Sequence, residues 1–230
     1  MADQLTGNLS HFITRIRRYI GEETASKSFW SDNLIKQIFN AHYRKRCTEL
    51  IMAFEGYFTI VATRDTVADQ ERYAWPANFE RLLKLEIVRS DGRTIPLQRQ
   101  ERHYGPKSAP SNSGDSYMPA YRSIGSGFVL EPAPTASTSG QIRMEYVSTP
   151  AELTADDDEL HSDFPSMLDE LLVLDAAVAL FDVEQAQEEG RLRSLLRQRA
   201  EWEVTWERFI DNRMISANSV TPFLTHYTDA

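Results

Sequence analysis

The residues best suited to chemistry are concentrated in one acidic stretch in the last third of the chain. Asp156-Asp157-Asp158-Glu159 is followed by His161 and Asp163, and carboxylate oxygens are the usual ligands of hard divalent cations. A calcium loop also needs a glycine at its turn and a spaced glutamate, and this stretch has neither. Glu159 and Asp163 could act as an acid/base pair only in a cleft that separates their two pKa values. We therefore interpret the stretch as a solvated segment that leads into a helix.

The other motifs associated with catalysis are incomplete. Gly125-Ser126-Gly127 lacks the third glycine and the following helix of a dinucleotide fingerprint, and it is not the Gly-x-Ser-x-Gly of a nucleophile elbow. It is interpreted as a turn before a strand. No two histidines have the spacing that would let them face one metal from one helix. They are His11, His42, His103, His161 and His226. The sequence predicts no catalytic residue, no cofactor and no metal, and hence no enzyme.

Cysteine usage and charge narrow the class of protein. The single cysteine, Cys47, cannot form an internal disulfide and suits a reducing compartment. With 25 Lys and Arg against 34 Asp and Glu, the formal net charge is −9, which disfavours a stable grip on DNA. The longest apolar stretch, residues 171–181, is interrupted by Asp175 and is too short to span a bilayer. We expect a soluble, unexported protein without a membrane partner.

Basic and aromatic residues have ordinary structural interpretations. Arg44-Lys45-Arg46 and similar runs lie in predicted helices rich in glutamate, so we interpret them as solvated or interface-facing helix charge. Trp30, Trp75, Trp202 and Trp206 could stack on nucleobases, but their helix and strand spacing is more typical of a core.

Helical periodicity predicts two helices at the start of the chain. The apolar pattern that begins at Leu9 has Asn8 as its N-cap and Gly21 as its end. Ser31-Asp32-Asn33 then offers caps for a second helix that continues to about Ala53.

Two further helices are predicted near the end of the chain. The third begins at Phe164-Pro165, with Asp163 as its cap, and ends at Gly190. The fourth runs from Arg191 to about Ile210, and the short connection makes it the antiparallel neighbour of the third.

Between the helices the apolar period changes to two, which predicts a small antiparallel sheet of about four or five strands. Pro96 favours an edge position for its strand. The strands are placed at Tyr57–Ala62, at Leu82–Val88 and Thr94–Leu97 as a hairpin around Ser90-Asp91-Gly92-Arg93, at Gly127–Leu130 and at Gln141–Val147.

These elements predict an α+β chain: a bundle of about four helices from residues 1–55 and 160–212, with a β-rich insertion at 56–150. Within the insertion, residues 98–120 are rich in Gly, Ser and Pro and are expected to form a mobile loop. Residues 213–230 are expected to form an extended C-terminal tail. They lose periodicity yet keep large apolar side chains, which favours burial on another protein. The candidate docking residues are Ile215, Val220, Pro222, Phe223, Leu224 and Tyr227.

Three short segments have a recognisable pattern. Tyr73–Leu83, which leads into the hairpin, reads Tyr-x-hydrophobic-Pro-x-x-Phe-x-Arg-Leu. Asn40-Ala41-His42-Tyr43-Arg44 lies in the opening helix pair, and the later helix contains Leu-Leu-Val-Leu-x-Ala-Ala at residues 171–177. Together these segments resemble the head-tail adaptor proteins of tailed bacteriophages over nearly the whole chain.

This resemblance implies a structural role in the virion neck, after synthesis in the cytoplasm of a host bacterium. It implies a ring of twelve copies docked under the portal at a capsid vertex, with the C-terminal tail reaching into the portal. The β-rich part would meet tail, nozzle or neck proteins, and DNA would pass through the lumen transiently and without specific contacts.

Two alternatives remain open from the sequence. A tail completion or neck closure protein would share the same kind of soluble, late-assembling chain. A virion-associated hydrolase would need clustered acid/base or metal residues, for which Asp157, Glu159, His161 and Asp163 are the nearest candidates.

Overall fold

A computed structural model describes residues 7–22, 29–54, 56–89, 91–100, 120–182 and 189–218, with the backbone alone for residues 182 and 213–218. The chain divides into two compact units, which are described separately: a helical unit, Met1–Tyr57 with Pro150–Ala230, and a β-rich unit, Phe58–Thr149. The α+β class predicted from the sequence is confirmed. None of the described helices is long and apolar enough to cross a membrane.

The first two helices begin and end where their capping residues place them. Helix α1 is Leu9–Ile20: the Asn8 side chain accepts the N–H of His11, and Gly21 ends the helix with a left-handed φ of 83°. Helix α2 is Asp32–Ala53, with the Ser31 hydroxyl accepting the N–H of Leu34.

The third helix starts later than predicted. A short 3₁₀ turn, Ser166–Leu168, precedes helix α3, Asp169–Asp182. The expectation that Asp163 caps this helix is wrong, because the turn begins after Pro165 without a side-chain cap. The N–H of Phe164 instead bonds to the carbonyl of His161, which closes a separate turn before the helix.

The fourth helix is longer at both ends than predicted. Helix α4 is Glu189–Asn218, so Gly190 lies in its first turn and does not end α3. A single glycine costs a helix only about 1 kcal/mol relative to alanine, mainly in backbone entropy, so it does not by itself end one. Residues 213–218, expected in an extended tail, are helical; they contain neither glycine nor proline, so nothing local ends the helix. Residues 219–230 lie outside the described residues.

Helix α3 is the centre of the helical unit. It packs against α1, α2 and α4, and every residue from Leu171 to Ala177 is buried. A helix surrounded in this way must be apolar on all sides, which explains its run of leucines and alanines. The one charged residue in that run is Asp175.

The strands described in the β-rich unit are β1 (Thr59–Thr66), β2 (Arg72–Ala74), β3 (Phe79–Val88), β4 (Thr94–Pro96), β5 (Gln98–Arg99), β6 (Ala120–Ile124), β7 (Gly127–Glu131) and β8 (Thr138–Ser148). They form two four-stranded sheets, with orders β1-β8-β3-β4 and β2-β7-β6-β5. The prediction of one antiparallel sheet with four or five strands is therefore wrong in number, and β5 pairs with β6 in parallel. The three unpredicted strands, β2, β5 and β6, are only two to five residues long, too short to establish a period.

The predicted hairpin is confirmed as β3 and β4, and Pro96 lies in an edge strand. The predicted loop is shorter at both ends than expected, because Gln98, Arg99 and Ala120 belong to strands. Residues 101–119 lie outside the described residues. Both sheets contribute to one core, in which Tyr73 and Phe128 from the second sheet meet Ile142 from the first.

Candidate functional site

The acidic stretch forms a turn that anchors the start of α1. The N–H groups of Leu9 and Ser10, which have no partner within the helix, donate to the carbonyls of Asp158 (2.8 Å) and Asp156 (3.0 Å). The Asp158 carboxylate accepts the N–H groups of Thr154 (2.6 Å) and Ala155 (2.8 Å), and these bonds lower the pKa of Asp158. This carboxylate is therefore used to shape the turn.

The other acid/base candidates in this stretch also have structural partners. The backbone N–H of His161 donates to the Tyr43 hydroxyl at 3.0 Å, and His161 Nδ1 accepts the backbone N–H of Asp163 at 3.2 Å. Glu159 forms an isolated β-bridge with Asn8. Among the residues that the structure describes, no group of three or more His, Cys, Asp and Glu could hold a metal ion.

The segment that precedes the turn is tied to α2. The Asn40 side chain donates to the carbonyl of Leu153 (2.8 Å) and accepts its N–H (2.9 Å). Lys36 Nζ reaches the Asp156 carboxylate at 2.7 Å. A groove of about 330 Å³ lies between this segment and α2, and Asn33, Gln37 and Arg44 are among the residues lining it. The ionisable side chains in its lining are engaged in ion pairs, Lys36 with Asp156 and Arg44 with Glu152.

A buried ion cluster joins three helices. Arg46 of α2 binds the carboxylates of Asp175 in α3 (2.9 Å) and Glu203 in α4 (2.6 Å), and Glu49 at 3.0 Å. Arg199 of α4 binds the second oxygen of Asp175 at 2.6 Å. These five residues are named the Arg46 cluster. Arg46 also lies over the indole of Trp206, 5.2 Å from the ring centroid.

Within the Arg46 cluster, Arg46 and Glu203 each shift the pKa of the other toward the ionised form. Burial acts to lower the pKa of Arg46, but the hydrogen bonds and charges of Glu203 and Asp175 outweigh it and raise that pKa. The bond from Arg46 lowers the pKa of Glu203. A guanidinium does not release its proton in proteins, so the cluster offers no proton donor for catalysis. Its arrangement fixes the positions of α2, α3 and α4.

The sequence analysis missed this cluster. Arg46 was expected to be solvated or to face an interface, and that expectation is wrong: its side chain is 2% exposed. The sequence feature that could have predicted the cluster is Asp175 in α3, which interrupts an otherwise apolar run. A carboxylate in a fully buried helix requires a cationic partner, and α2 is rich in arginine and lysine.

The segment with the aromatic pattern joins the two sheets of the β-rich unit. Trp75 stacks on Phe79, with ring centroids 4.4 Å apart and planes 5° from parallel, and also contacts Phe128 at 4.7 Å. The Asn78 side chain accepts the hydroxyl of Tyr146 at 3.1 Å. Trp75 therefore packs against the core, as predicted, and the pattern encodes a packed corner between β2 and β3.

The remaining motif residues are also structural. Gly125-Ser126 forms the turn between β6 and β7, which confirms that Gly125-Ser126-Gly127 is a turn before a strand. A cavity of about 330 Å³ in the β-rich unit includes Thr66 and Gln141, whose side chains bond to each other at 2.6 Å. Burial raises the pKa of Cys47 to about 12, so its thiol stays protonated at neutral pH.

The candidate docking residues fall mostly outside the described part of the chain. Ile215 lies on the helical backbone of α4, and the other five are beyond residue 218. The structure thus places the start of this segment as a continuation of α4.

Comparison with known proteins identifies the family. No curated protein matches the chain. The family model described as SU10 adaptor protein matches residues 8–221, nearly the full length of both units. The chain therefore belongs to the SU10 adaptor protein family, which confirms the resemblance to phage head-tail adaptors found in its sequence.

Proposed function

We propose that this chain is a non-enzymatic head-tail adaptor that forms a ring under the portal of a tailed phage. In this role it joins the capsid vertex to the tail and lines the channel through which DNA passes. The observation that carries the proposal is family membership over residues 8–221.

The chemistry of the described residues supports a structural role. The two arginines of the Arg46 cluster are paired with its three carboxylates, and the acidic turn uses its polar groups to anchor α1. The side chains of Arg46, Asp175 and Asp158 are thus engaged in holding the helical unit together.

The path of α4 supports portal docking by the C-terminal segment. The Arg46 cluster fixes Glu203 and Arg199 against α3 and α2, so the helix that leads into residues 219–230 has a defined direction. Phe223, Leu224 and Tyr227 gain ~25 cal/mol per Å² when buried on a partner. The ordering of the segment offsets part of this gain, so stable attachment needs several copies acting together.

The acidic composition suits a DNA channel. A net charge of −9 opposes tight binding to phosphates, which lets a duplex pass without adhering to the ring wall.

The test is binding of the purified chain to the portal rings and tail tubes of its own phage. We expect complexes with portal rings, seen as an added ring by electron microscopy. Binding to tail tubes with no binding to portal rings would contradict the proposal and favour a tail completion or neck closure protein. Hydrolytic activity that is lost on Ala substitution of Asp157, Glu159, His161 and Asp163, with assembly intact, would favour an enzyme.

A further inference from the structure

Helix α4 has an outer face opposite the one that packs on α3. Its inner side carries Leu195 and Trp206, both buried, and the cluster residues Arg199 and Glu203. Leu196 and Val204 on the outer side are 44% and 45% exposed. At 100° per residue, eight residues between Arg193 and Asp211 fall within an outer arc of roughly 120°. They are Arg193, Leu196, Arg197, Ala200, Val204, Glu207, Arg208 and Asp211, and they are named the α4 outer face.

Charge is distributed unevenly along the α4 outer face. Arg193 and Arg197 lie in its first half, and Glu207, Arg208 and Asp211 lie in its second half. Glu207 and Asp211 are one turn apart, a spacing at which like charges repel. Within the described ranges, the ion pairs found include none from Arg197, Glu207 or Asp211. The face therefore has two positive charges in its first half, two negative charges and one positive charge in its second half, and an apolar middle.

We propose that a second copy of this chain covers the α4 outer face, with the two α4 helices antiparallel and crossing at Ala200. In that register Leu196 of each copy lies opposite Val204 of the other, and Arg193 lies opposite Glu207. Alanine at the crossing allows the helices to approach to ~8 Å. The same register places Glu189 of one copy opposite Asp211 of the other at each end of the pair. Arg193 is bonded to Glu189 and lies one turn away from it.

The symmetry of this contact separates it from the ring of the proposed function. An antiparallel pair with the same face on both copies has twofold symmetry, whereas a cyclic ring needs two different faces. The pair must therefore separate before a ring closes on it. It is a form of the free protein, and the inference holds whether or not the chain binds a portal.

The size of the face indicates a weak, reversible dimer. From Glu189 to Asn212 the described part of α4 is about 36 Å long. One helix pair of this length buries less than the ~1,200–2,000 Å² of a stable complex. Exposed ion pairs contribute little affinity, so the charges set the register and the apolar middle holds the pair.

The test measures the mass of the full chain by sedimentation over a range of concentrations. We expect a monomer–dimer equilibrium in the wild type. R193E and E207R each place like charges opposite each other twice per dimer, so each should weaken dimerisation at least about tenfold. The double variant R193E/E207R restores opposite charges and should return the dissociation constant to near the wild-type value. L196E should leave only monomer.

A matched control and a second readout make the result decisive. R93E reverses an arginine that is 85% exposed in the β-rich unit, and it should not change dimerisation. Circular dichroism checks that each variant keeps its helices. A wild type that stays monomeric, a dimer unaffected by R193E, or no rescue in the double variant would overturn the inference. Portal binding measured on the same variants tests the proposed function separately.

Discussion

Arg46 and Asp175 lie in different helices and are joined by two hydrogen bonds inside the helical core. Arg46 Nε and Nη2 lie 3.0 and 2.9 Å from Asp175 Oδ2, and both residues are 2% exposed. The other oxygen, Oδ1, receives Arg199 of α4. One carboxylate thus connects α2 and α4 through the central helix.

Substitution of one member of this pair should strongly destabilise the helical unit. Asp175→Ala removes the carboxylate that Arg46 and Arg199 share, while Arg46 keeps Glu203 and Glu49. The loss should therefore lie near the lower end of the about 3–5 kcal/mol that breaking a buried ion pair costs. We expect the free energy of unfolding, measured with urea, to fall by that amount. The double variant Arg46→Met/Asp175→Leu replaces both charges with apolar groups and should be less destabilised than the sum of the single substitutions.

Glu189→Ala is the control for this experiment, because its carboxylate is 72% exposed at the start of α4. Its free energy of unfolding should stay within about 0.5 kcal/mol of the wild type. An Asp175→Ala loss as small as that of the control would show that the pair does not hold the helices together.

The boundaries of α1 and α2 could be predicted because their signals are local. Asn8, Gly21 and Ser31 set helix ends through bonds within a few residues, and such bonds are visible in the sequence. The delayed start of α3 could not be predicted in the same way. It depends on a turn in which Phe164 is buried against Tyr43, which is distant in sequence.

The short strands and the Arg46 cluster could not be predicted from the sequence because both form through contacts between residues far apart in the chain. Gln98–Arg99 is a strand only because it pairs with Ala120–Tyr121, and two residues have no period of their own. Arg46 resembles its exposed neighbours Arg44 and Lys45 in sequence, and only the position of α3 makes it a core residue. Short strands and buried charges share this dependence on tertiary partners.

Gly127 should not tolerate a methyl group. A Cβ at this position would lie 2.2 Å from the carbonyl oxygen of Tyr73 in the neighbouring strand, and a backbone atom cannot move aside easily. We expect Gly127→Ala to lower the free energy of unfolding of the β-rich unit by about 1–3 kcal/mol. Unfolding followed by the near-ultraviolet signal of the aromatic residues measures this.

Gly190→Ala provides the matched control, since nothing lies within 4 Å of a Cβ at that position. Alanine favours helix at this first-turn position, so this variant should be neutral or more stable by up to about 1 kcal/mol. Equal effects of the two substitutions would contradict a steric role for Gly127.

Asp169 should make the helical unit less stable as the pH rises. Burial raises the pKa of this carboxyl to about 6, and its Oδ1 is buried with no hydrogen-bond partner among the described residues. The folded state therefore binds more protons than the unfolded state between about pH 4 and 6, and its stability falls as the pH rises through that range. Above pH 7 the loss should be about 1–2 kcal/mol, because partial exposure to solvent screens the full effect.

Asp169→Asn removes the charge and keeps the shape of the side chain. The difference in unfolding free energy between this variant and the wild type should therefore grow from pH 4 to pH 7 in favour of the variant. Measurement of urea unfolding at several pH values isolates Asp169 from the other titrating groups, which both proteins share. A difference that is independent of pH would show that the carboxyl titrates normally.

Residues 219–230 should be dispensable for folding and required for attachment to the portal. Among the described residues, α3 is enclosed by α1, α2 and the part of α4 up to Asn218. We expect a chain that ends at Asn218 to keep its helix content and unfolding free energy.

Phe223→Ser/Leu224→Ser should lose portal binding at least about tenfold, since two large apolar side chains are removed from the contact. Thr221→Ser/Thr225→Ser changes the same segment without removing large apolar groups, and it should bind normally. Unchanged binding by the truncated chain would move the docking surface away from this segment, whereas its unfolding would place the segment in the core.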